Sequence, residues 1–339
     1  MVKPTLNMRP TGWFQVAWSE EVPVGGVHRM TYFGHDLIAW RGVSGRVTIM
    51  EAYCEHLGAH LGYGGTVVER DGEDAIQCPF HGWQWNAAGR NVCIPYEDRP
   101  NIGKKIRTYP VREVNESIYL WHDASGEHRE PYFDVPEIFT AWDDGRSADD
   151  YHRSYPGNVL FDPAQELHPQ YVLENGVDFA HFKYVHQVPI IPQFTRQDFD
   201  QPLSYVDFTV AFEGEPGSIE EIDSGVEAIN VGLGFAITKS HGMVDNRTML
   251  AVTPVDDATC DVRFSVWIGN DPSGGGEADV EAAAKAARFV IEQVEADLVI
   301  WSHQKYADPA ALSRGEYPGF TALRAWAQQF YPSNEQEKS

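Results

Sequence analysis

Between residues 54 and 81 the chain reads C-E-H, an intervening stretch, and then C-P-F-H, so that the pair Cys54 and His56 recurs as Cys78 and His81. No other stretch constrains the fold as strongly. Two thiols and two imidazoles can share one inorganic centre only if two loops, separated in sequence, are folded face to face. Gly58, Gly62, Gly64 and Gly65 follow the first pair and Gly82 the second, which lets both loops close over a core without Cβ clashes. Trp83 and Trp85 alternate in strand fashion just beyond and can shield the centre from water.

Two thiolates with two imidazoles are the ligand set of a Rieske [2Fe–2S] cluster, Cys54 and Cys78 on one iron and His56 and His81 on the other. Neutral imidazoles put less negative charge on the cluster than thiolates do, which raises its reduction potential. Tetrahedral zinc is the competing reading. Zinc fingers group their cysteines and then their histidines, whereas here the two types alternate. The order favours iron and sulfur.

With 339 residues the chain has room for two domains. No apolar run reaches the roughly 18 residues of a membrane span, and the N-terminus lacks a basic-then-apolar leader, so a cytoplasmic protein is expected. Cys93 and Cys260 are then expected as buried thiols, not as a disulfide. A net charge of -24 argues against nucleic acid as a partner. It is compatible with steering a positively charged redox partner, or with solubility alone.

Short β-prone runs, Met30 to Phe33, Asp36 to Trp40 and Val47 to Met50, lead into the first ligand pair. Thr66 to Val68 and Ala75 to Gln77 flank Glu69 to Asp74, which reads as a hairpin with an exposed acidic tip. Gln84 to Asn86 and Ser117 to Trp121 complete an all-β domain over residues 10–124, with Tyr109, Val111 and Val114 packed beneath it. Asp123 to Arg146, rich in Gly, Pro and acids, is expected to connect it to a second domain over residues 125–337.

That second domain is expected to open on a strand and then one helix from Gln170 to Val185. On a regular helix His181 and His186 point about 140° apart, so they reach one metal only if the helix ends near Tyr184, as Gln187, Val188 and Pro189 allow. Otherwise they are two unrelated histidines of an amphipathic helix. Asp178, three residues before His181, shares its face. Five strands follow: Tyr205 to Phe212, Ala228 to Val231, Phe235 to Thr238, Thr248 to Thr253 and Cys260 to Trp267. Turns are expected at Asp245-Asn246 and at Val255-Asp256-Asp257. The concave face of such a sheet is a natural seat for an apolar substrate. A long helix is expected from Glu277 to Tyr306, with Phe289, Val290, Gln293, Asp297, Ile300 and Trp301 at helical spacing. Asp297 on that stripe needs a partner, which a metal ion can be, and Glu292 and Glu295 are its rivals.

Taken together, C-E-H, C-P-F-H-G-W, N-G-V-D-F-A-H-F-K-Y-V-H and D-L-V-I-W resemble the oxygenase component of the Rieske non-haem iron oxygenases. Within them the likeness points to the 3-ketosteroid 9α-hydroxylase group, through V-D-F-A-H-F-K-Y-V-H and the late L-R-A-W-A-Q-Q-F-Y of Leu323 to Tyr331. The resemblance implies an α+β chain, an N-terminal all-β Rieske domain followed by a helix-grip catalytic domain with a curved antiparallel sheet. It implies that His181, His186 and Asp297 hold a mononuclear Fe(II) as a 2-His-1-carboxylate triad. Asn175 matches a residue found near the iron. Asp178 matches the acid that bridges a cluster histidine and an iron-ligand histidine across the contact of a homotrimer.

By the same resemblance a ferredoxin or flavin reductase supplies electrons, and O2 is used to hydroxylate an apolar alicyclic substrate, a steroid first among them. Two other readings stand beside it: an O- or N-demethylase of an aromatic substrate, and an electron-transfer Rieske protein without catalytic iron. The segment from residue 57 to 77 looks longer than in the steroid group, Leu57 and His60 replace residue types common there, and the chain stops soon after Tyr331.

Overall fold

The computed structural model describes residues 6–125, 130–188, 191–209, 224–242, 245–270 and 277–332. The chain divides into two compact units, one of Gln15–His122 and one of Met1–Phe14 with Asp123–Ser339.

The first unit is built from three small antiparallel sheets. β1 (Gly12–Trp18) joins β11 (Ser117–His122) and β10 (Val111–Val114). β2 (Val27–Tyr32), β3 (His35–Arg41), β4 (Val47–Glu51) and β9 (Thr108–Tyr109) form the second sheet. β5 (Thr66–Arg70), β6 (Glu73–Gln77), β7 (Gln84–Asn86) and β8 (Asn91–Cys93) form the third. Between the last two sheets Ile38, Trp40, Met50, Ile76, Trp83 and Trp85 make a core that also holds Cys54 and Cys78. Tyr109, Val111 and Val114 are only half-buried.

The expected hairpin forms, with a turn tighter than the stretch from Glu69 to Asp74. β5 and β6 run on to Arg70 and Glu73, and Asp71 and Gly72 alone turn the chain, at φ of +52° and +82°. Positive φ at both central positions is the hairpin geometry that Asp-Gly favours. Asp74 is no free acid of a tip either: it accepts the Val43 N–H at 2.7 Å and the Ser44 hydroxyl, fixing the turn before β4. Cys93 is half-buried, contrary to expectation, and accepts from Arg70 at 3.3 Å; Cys260 is buried, and both are free thiols.

Within the described part of Asp123 to Arg146 the chain is not a loose connection. Val135, Ile138 and Phe139 are buried, and the Phe139 ring packs on Tyr151 and Trp267 in the second unit.

The second unit is a seven-stranded antiparallel sheet. β13 (Gln193–Asp198), β14 (Leu203–Thr209), β15 (Gly225–Val231), β16 (Phe235–His241), β17 (Asn246–Pro254) and β18 (Cys260–Ile268) run as a meander, and β12 (Val159–Gln165) closes the other edge beside β18. β13 is absent from the sequence expectation, and Val210 to Phe212 lie outside the described residues. Asn246 already belongs to β17, so it does not form the expected turn with Asp245.

Among the described residues four α-helices complete the unit: α1 (Pro169–Asn175), α2 (His181–Tyr184), α3 (Glu277–Trp301) and α4 (Tyr317–Ala327). α3 lies along the sheet as the helix-grip arrangement requires, with Ala283, Ala287 and Ile291 against Phe264, Val266 and Ile268 of β18. α4 brings Leu323 and Trp326 onto Leu173 of α1 and Val206 of β14. α3 ends at Trp301, short of Tyr306, and its buried stripe runs through Ala283, Ala287, Ile291, Leu298 and Trp301. Phe289 and Ile300, expected on that stripe, face outward. Among the described residues no helix is long and apolar enough to cross a membrane.

Candidate metal centres

In the first unit the two ligand loops are built alike. Cys54 donates its backbone N–H to Ala59 at 2.9 Å, and Cys78 donates to Trp83 at 2.8 Å, each to the carbonyl five residues on. The two cysteines are buried and hydrogen-bonded to one another, with Trp85 Nε1 donating to Cys54 Sγ at 3.3 Å. The imidazoles lie nearer the surface: His56 and His81 are half-buried, their ring centroids 4.8 Å apart at 72°. His56 stacks flat on Trp83 at 4.3 Å, and Trp83 Nε1 is held by the Tyr96 hydroxyl at 2.8 Å.

Burial, with Cys78 close by, pushes the Cys54 thiol up to about 11. A thiolate in this core therefore needs a cation beside it, which a metal ion supplies by displacing the proton. His81 Nδ1 is buried with no hydrogen-bond partner among the described residues. An orphaned nitrogen beside two apposed thiols is what an iron–sulfur cluster would satisfy. The donor set fits.

In the second unit the expected single helix from Gln170 to Val185 is broken, and the break makes the site. α1 stops at Asn175, and Asp178 Oδ1 accepts from the backbone N–H groups of Ala180 at 2.9 Å and His181 at 3.2 Å, so the chain starts a new helix there. A short polar side chain that takes over backbone donors in this way competes with continued helix. Asp178 thus caps α2 and does not share a helical face with His181. α2 ends at Tyr184, so His186 is not held to the helical direction it would have taken from His181, and Gln187 after it turns with φ of +55°; Pro189 lies outside the described residues.

The two imidazoles stand 5.1 Å apart at 79°. His186 Nε2 is 3.4 Å from Asp297 Oδ2, and one ligand atom from each of His181, His186 and Asp297 lies within 4.8 Å of the others. His181 Nδ1 is engaged by the Asp178 backbone carbonyl, which fixes the tautomer and leaves the Nε2 lone pair facing Asp297. Asn175 Nδ2 reaches the same spot, 3.1 Å from His181 Nε2 and 3.4 Å from Asp297 Oδ2. Burial holds the His181 pKa below its usual value, against the pull of Asp297 and Asp178, so the ring stays in its neutral, ligating form. His186 Nδ1 is buried without a partner among the described residues. Asp297 is buried on α3, whereas Glu292 and Glu295 pair with Arg288 on its exposed side. Two imidazoles and one carboxylate converging on a point fit a mononuclear iron site.

Residues 120–331 match the family described as "3-Ketosteroid 9alpha-hydroxylase C-terminal domain", and residues 12–110 match "Rieske [2Fe-2S] domain". The chain is a Rieske non-haem iron oxygenase. The oxygenase is 30% identical to the cholesterol 7-desaturase of Caenorhabditis elegans, over 96% of this chain and 77% of that one. It is 26% identical to the 3-ketosteroid-9-alpha-monooxygenase oxygenase component of Rhodococcus rhodochrous, over 94% and 83%. A further match, 34% identical, to cholesterol 7-desaturase nvd 1 of Ciona intestinalis covers 52% of this chain but only 34% of that protein. Among solved structures, dicamba monooxygenase bound to 3,6 dichlorosalicylic acid superposes with a TM-score of 0.67 at 16% identity, over 96% of this chain and 99% of that one. It is therefore a terminal oxygenase component with a Rieske domain, of a family whose catalytic domains use mononuclear iron.

One part of the site has no local sequence signal. Glu174, buried beside Asn175 on α1, takes Arg324 of α4 in a two-pronged pair, Nε to Oε1 at 2.8 Å and the second nitrogen to Oε2 at 2.9 Å. Gln170 Nε2 adds a bond to Glu174 at 2.8 Å, and the Tyr331 hydroxyl donates to Gln170 Oε1 at 2.8 Å. This network anchors the helix that ends in Asn175. Its partners are 150 residues apart, out of reach of any motif.

Proposed function

We propose that the oxygenase hydroxylates a fused-ring alicyclic substrate of the steroid class. In this reading Cys54, His56, Cys78 and His81 hold the [2Fe–2S] cluster, and His181, His186 and Asp297 hold the iron. The observation that carries it is the convergence of those last three side chains beside the helix-covered face of an apolar sheet. The relatives named for 3-ketosteroid and cholesterol supply the substrate class.

When bound, the cluster supplies electrons singly and the iron supplies the site at which O2 is reduced. The chain's own residues set the conditions for that chemistry. The Asp178 carbonyl holds His181 in one tautomer. Asn175, half-buried between His181 and Asp297, offers an amide donor at the site. Phe182, between the two histidines in sequence, packs on Phe208 at 4.9 Å and keeps water from that side. In a homotrimer Asp178 would meet a cluster histidine of a neighbouring copy: the cap uses only Oδ1, which leaves Oδ2 for that contact. A ferredoxin or flavin reductase would supply the electrons.

The test is product analysis under 18O2 with a surrogate reductase and a panel of ketosteroids and methoxybenzoates. One labelled oxygen added to a steroid is the expected result. A steroid that loses two hydrogens and gains no label would keep the substrate but make the reaction a desaturation. Formaldehyde from a methoxylated aromatic, with every steroid untouched, would overturn the reading.

A further inference from the structure

Across the sheet of the second unit, strand register places Val206, Ala228, Thr238, Thr248 and Val266 opposite one another in a single row. Opposed residues share a face. Both ends of the row are covered by helices, Val206 by α4 and Val266 by α3, so the row faces the helices throughout. Phe208, two residues from Val206 and on that same face, carries Phe182 and with it the histidines of α2.

Between these two covered ends the face is open. Val226, Ala228, Thr238 and Ser240 are only half-buried although they lie on the middle strands of seven, whereas Ala236 and Leu250 pack toward α4 and α3. Residues of the same strands that point to the other face, Ile229, Ile237 and Met249, are 3%, 0% and 0% exposed. The space is therefore on the helix side, flanked by α3, which carries Asp297, on β18 and by Phe182 of α2 on Phe208. Its floor is small, apolar at Val226 and Ala228 and polar at Thr238 and Ser240. On it Thr238 Oγ1 and Thr248 Oγ1 are 2.6 Å apart.

Two hydroxyls carry two protons, and their mutual bond uses one of them. One donor is left over whichever way the pair is oriented, and among the described residues neither hydroxyl has another side-chain or backbone partner. A spare donor on that floor binds an acceptor that enters with the ligand. The pair stands two to three strands from Phe208, roughly 10–15 Å at the usual strand spacing. We propose that the Thr238–Thr248 hydroxyl pair receives a carbonyl or hydroxyl oxygen of the substrate, at the end remote from the iron ligands, and so fixes which ring is presented to them. This rests on the steroid reading above and assigns the polar end of that substrate.

The experiment uses the whole loaded enzyme, a ketosteroid, and the same skeleton with that carbonyl reduced to methylene. The variants are T238V/T248V, which removes both hydroxyls at nearly constant volume, and T238S/T248S, which keeps them. The expected result is a loss of about tenfold in kcat/KM for the ketosteroid in the valine pair, mostly in KM, with the deoxy analogue unaffected. The site of attack should spread over more carbons, and the serine pair should restore the wild-type values. An unchanged visible cluster spectrum and unfolding midpoint show that the fold is intact. Equal changes for both substrates, or none for either, would overturn the inference alone. If the wild type turns over neither steroid, the steroid reading and the inference fall together.

Discussion

Gly58 and Gly82 hold the same station in two loops of different sequence. Each sits four residues beyond its cysteine, each has φ of +73°, and each donates its N–H to that cysteine's carbonyl, at 2.9 and 3.0 Å. The histidines occupy different places, His56 two residues after Cys54 and His81 three after Cys78. The backbone frame is common, and the imidazole is hung from it at two points. A Cβ at Gly58 meets nothing within 4 Å, whereas one at Gly82 stands 2.8 Å from Pro95 Cγ. Gly58→Ala is therefore expected to cost only the left-handed backbone, about 1 kcal/mol. Gly82→Ala adds the clash with a ring that cannot move aside freely. Unfolding followed at the cluster's visible absorbance should rank G82A clearly below G58A; equal losses would mean that Pro95 yields.

Asp297 and its two rivals differ in surroundings more than in type. Asp297 is 6% exposed beside His186, while Glu292 and Glu295 share Arg288 at the surface, where solvent screens such pairs. D297A and H186A are expected to lower the iron content by one atom per chain, to abolish turnover, and to leave the cluster's visible spectrum intact. E292A and E295A should keep the full complement. Metal analysis of the four purified variants decides it, and a normal iron count in D297A would remove that residue from the site.

The proposed ligands stand out in the sequence where they are local, Cys54 with His56, Cys78 with His81, and His181 with His186, whereas Asp297 lies far along the chain on α3 and had to be weighed against Glu292 and Glu295. Their geometry was legible only in part. An early end of the helix was foreseeable from Gln187; the break before it was missed, although Asn175-Gly176 is a stop signal, because Val177 to Ala180 continue an apolar run and the new start comes from the single side chain of Asp178. Periodicity found α3 but misplaced its face, because Phe289 and Ile300 satisfy the same spacing as the buried Ala287 and Leu298. Small alanines, allowing close contact with β18, outweigh larger apolar residues in deciding which side is buried. β13 has the sequence Q-F-T-R-Q-D, with one strongly apolar residue, and is a strand because β14 offers it an edge.

The Glu174–Arg324 pair carries its own prediction. Glu174 is 4% exposed, so removing the guanidinium leaves a buried carboxylate without its counter-ion. Breaking such a pair from one side costs about 3–5 kcal/mol. R324M should show that loss in chemical unfolding. E174Q/R324M should recover most of it, because the amide needs no counter-ion and can keep the bond from Gln170. If the double variant is no better than the single one, the cost lies in the packing of Arg324 over Tyr306 and not in charge.

Acid should loosen α1 through His168, which caps its start. His168 is fully buried; Nδ1 accepts the Gln170 N–H at 3.0 Å, and Nε2 faces the Asn7 carbonyl at 2.9 Å. A proton on Nδ1 would break the cap and place a charge in the core. Burial accordingly pulls the pKa down to about 4, against the opposing bond to Asn7. The unfolded chain, near the ordinary value of about 6.5, takes up a proton before the folded chain does. Nothing is lost above that value. As pH falls from about 6.5 toward 4 stability declines, by roughly 3 kcal/mol in total. H168N can still accept from Gln170 but cannot titrate. Between pH 7.5 and pH 5 the wild type should therefore lose about 2 kcal/mol more than H168N in chemical unfolding, the other titrating groups being common to both. Parallel pH profiles would show that His168 takes up its proton without disturbing the helix.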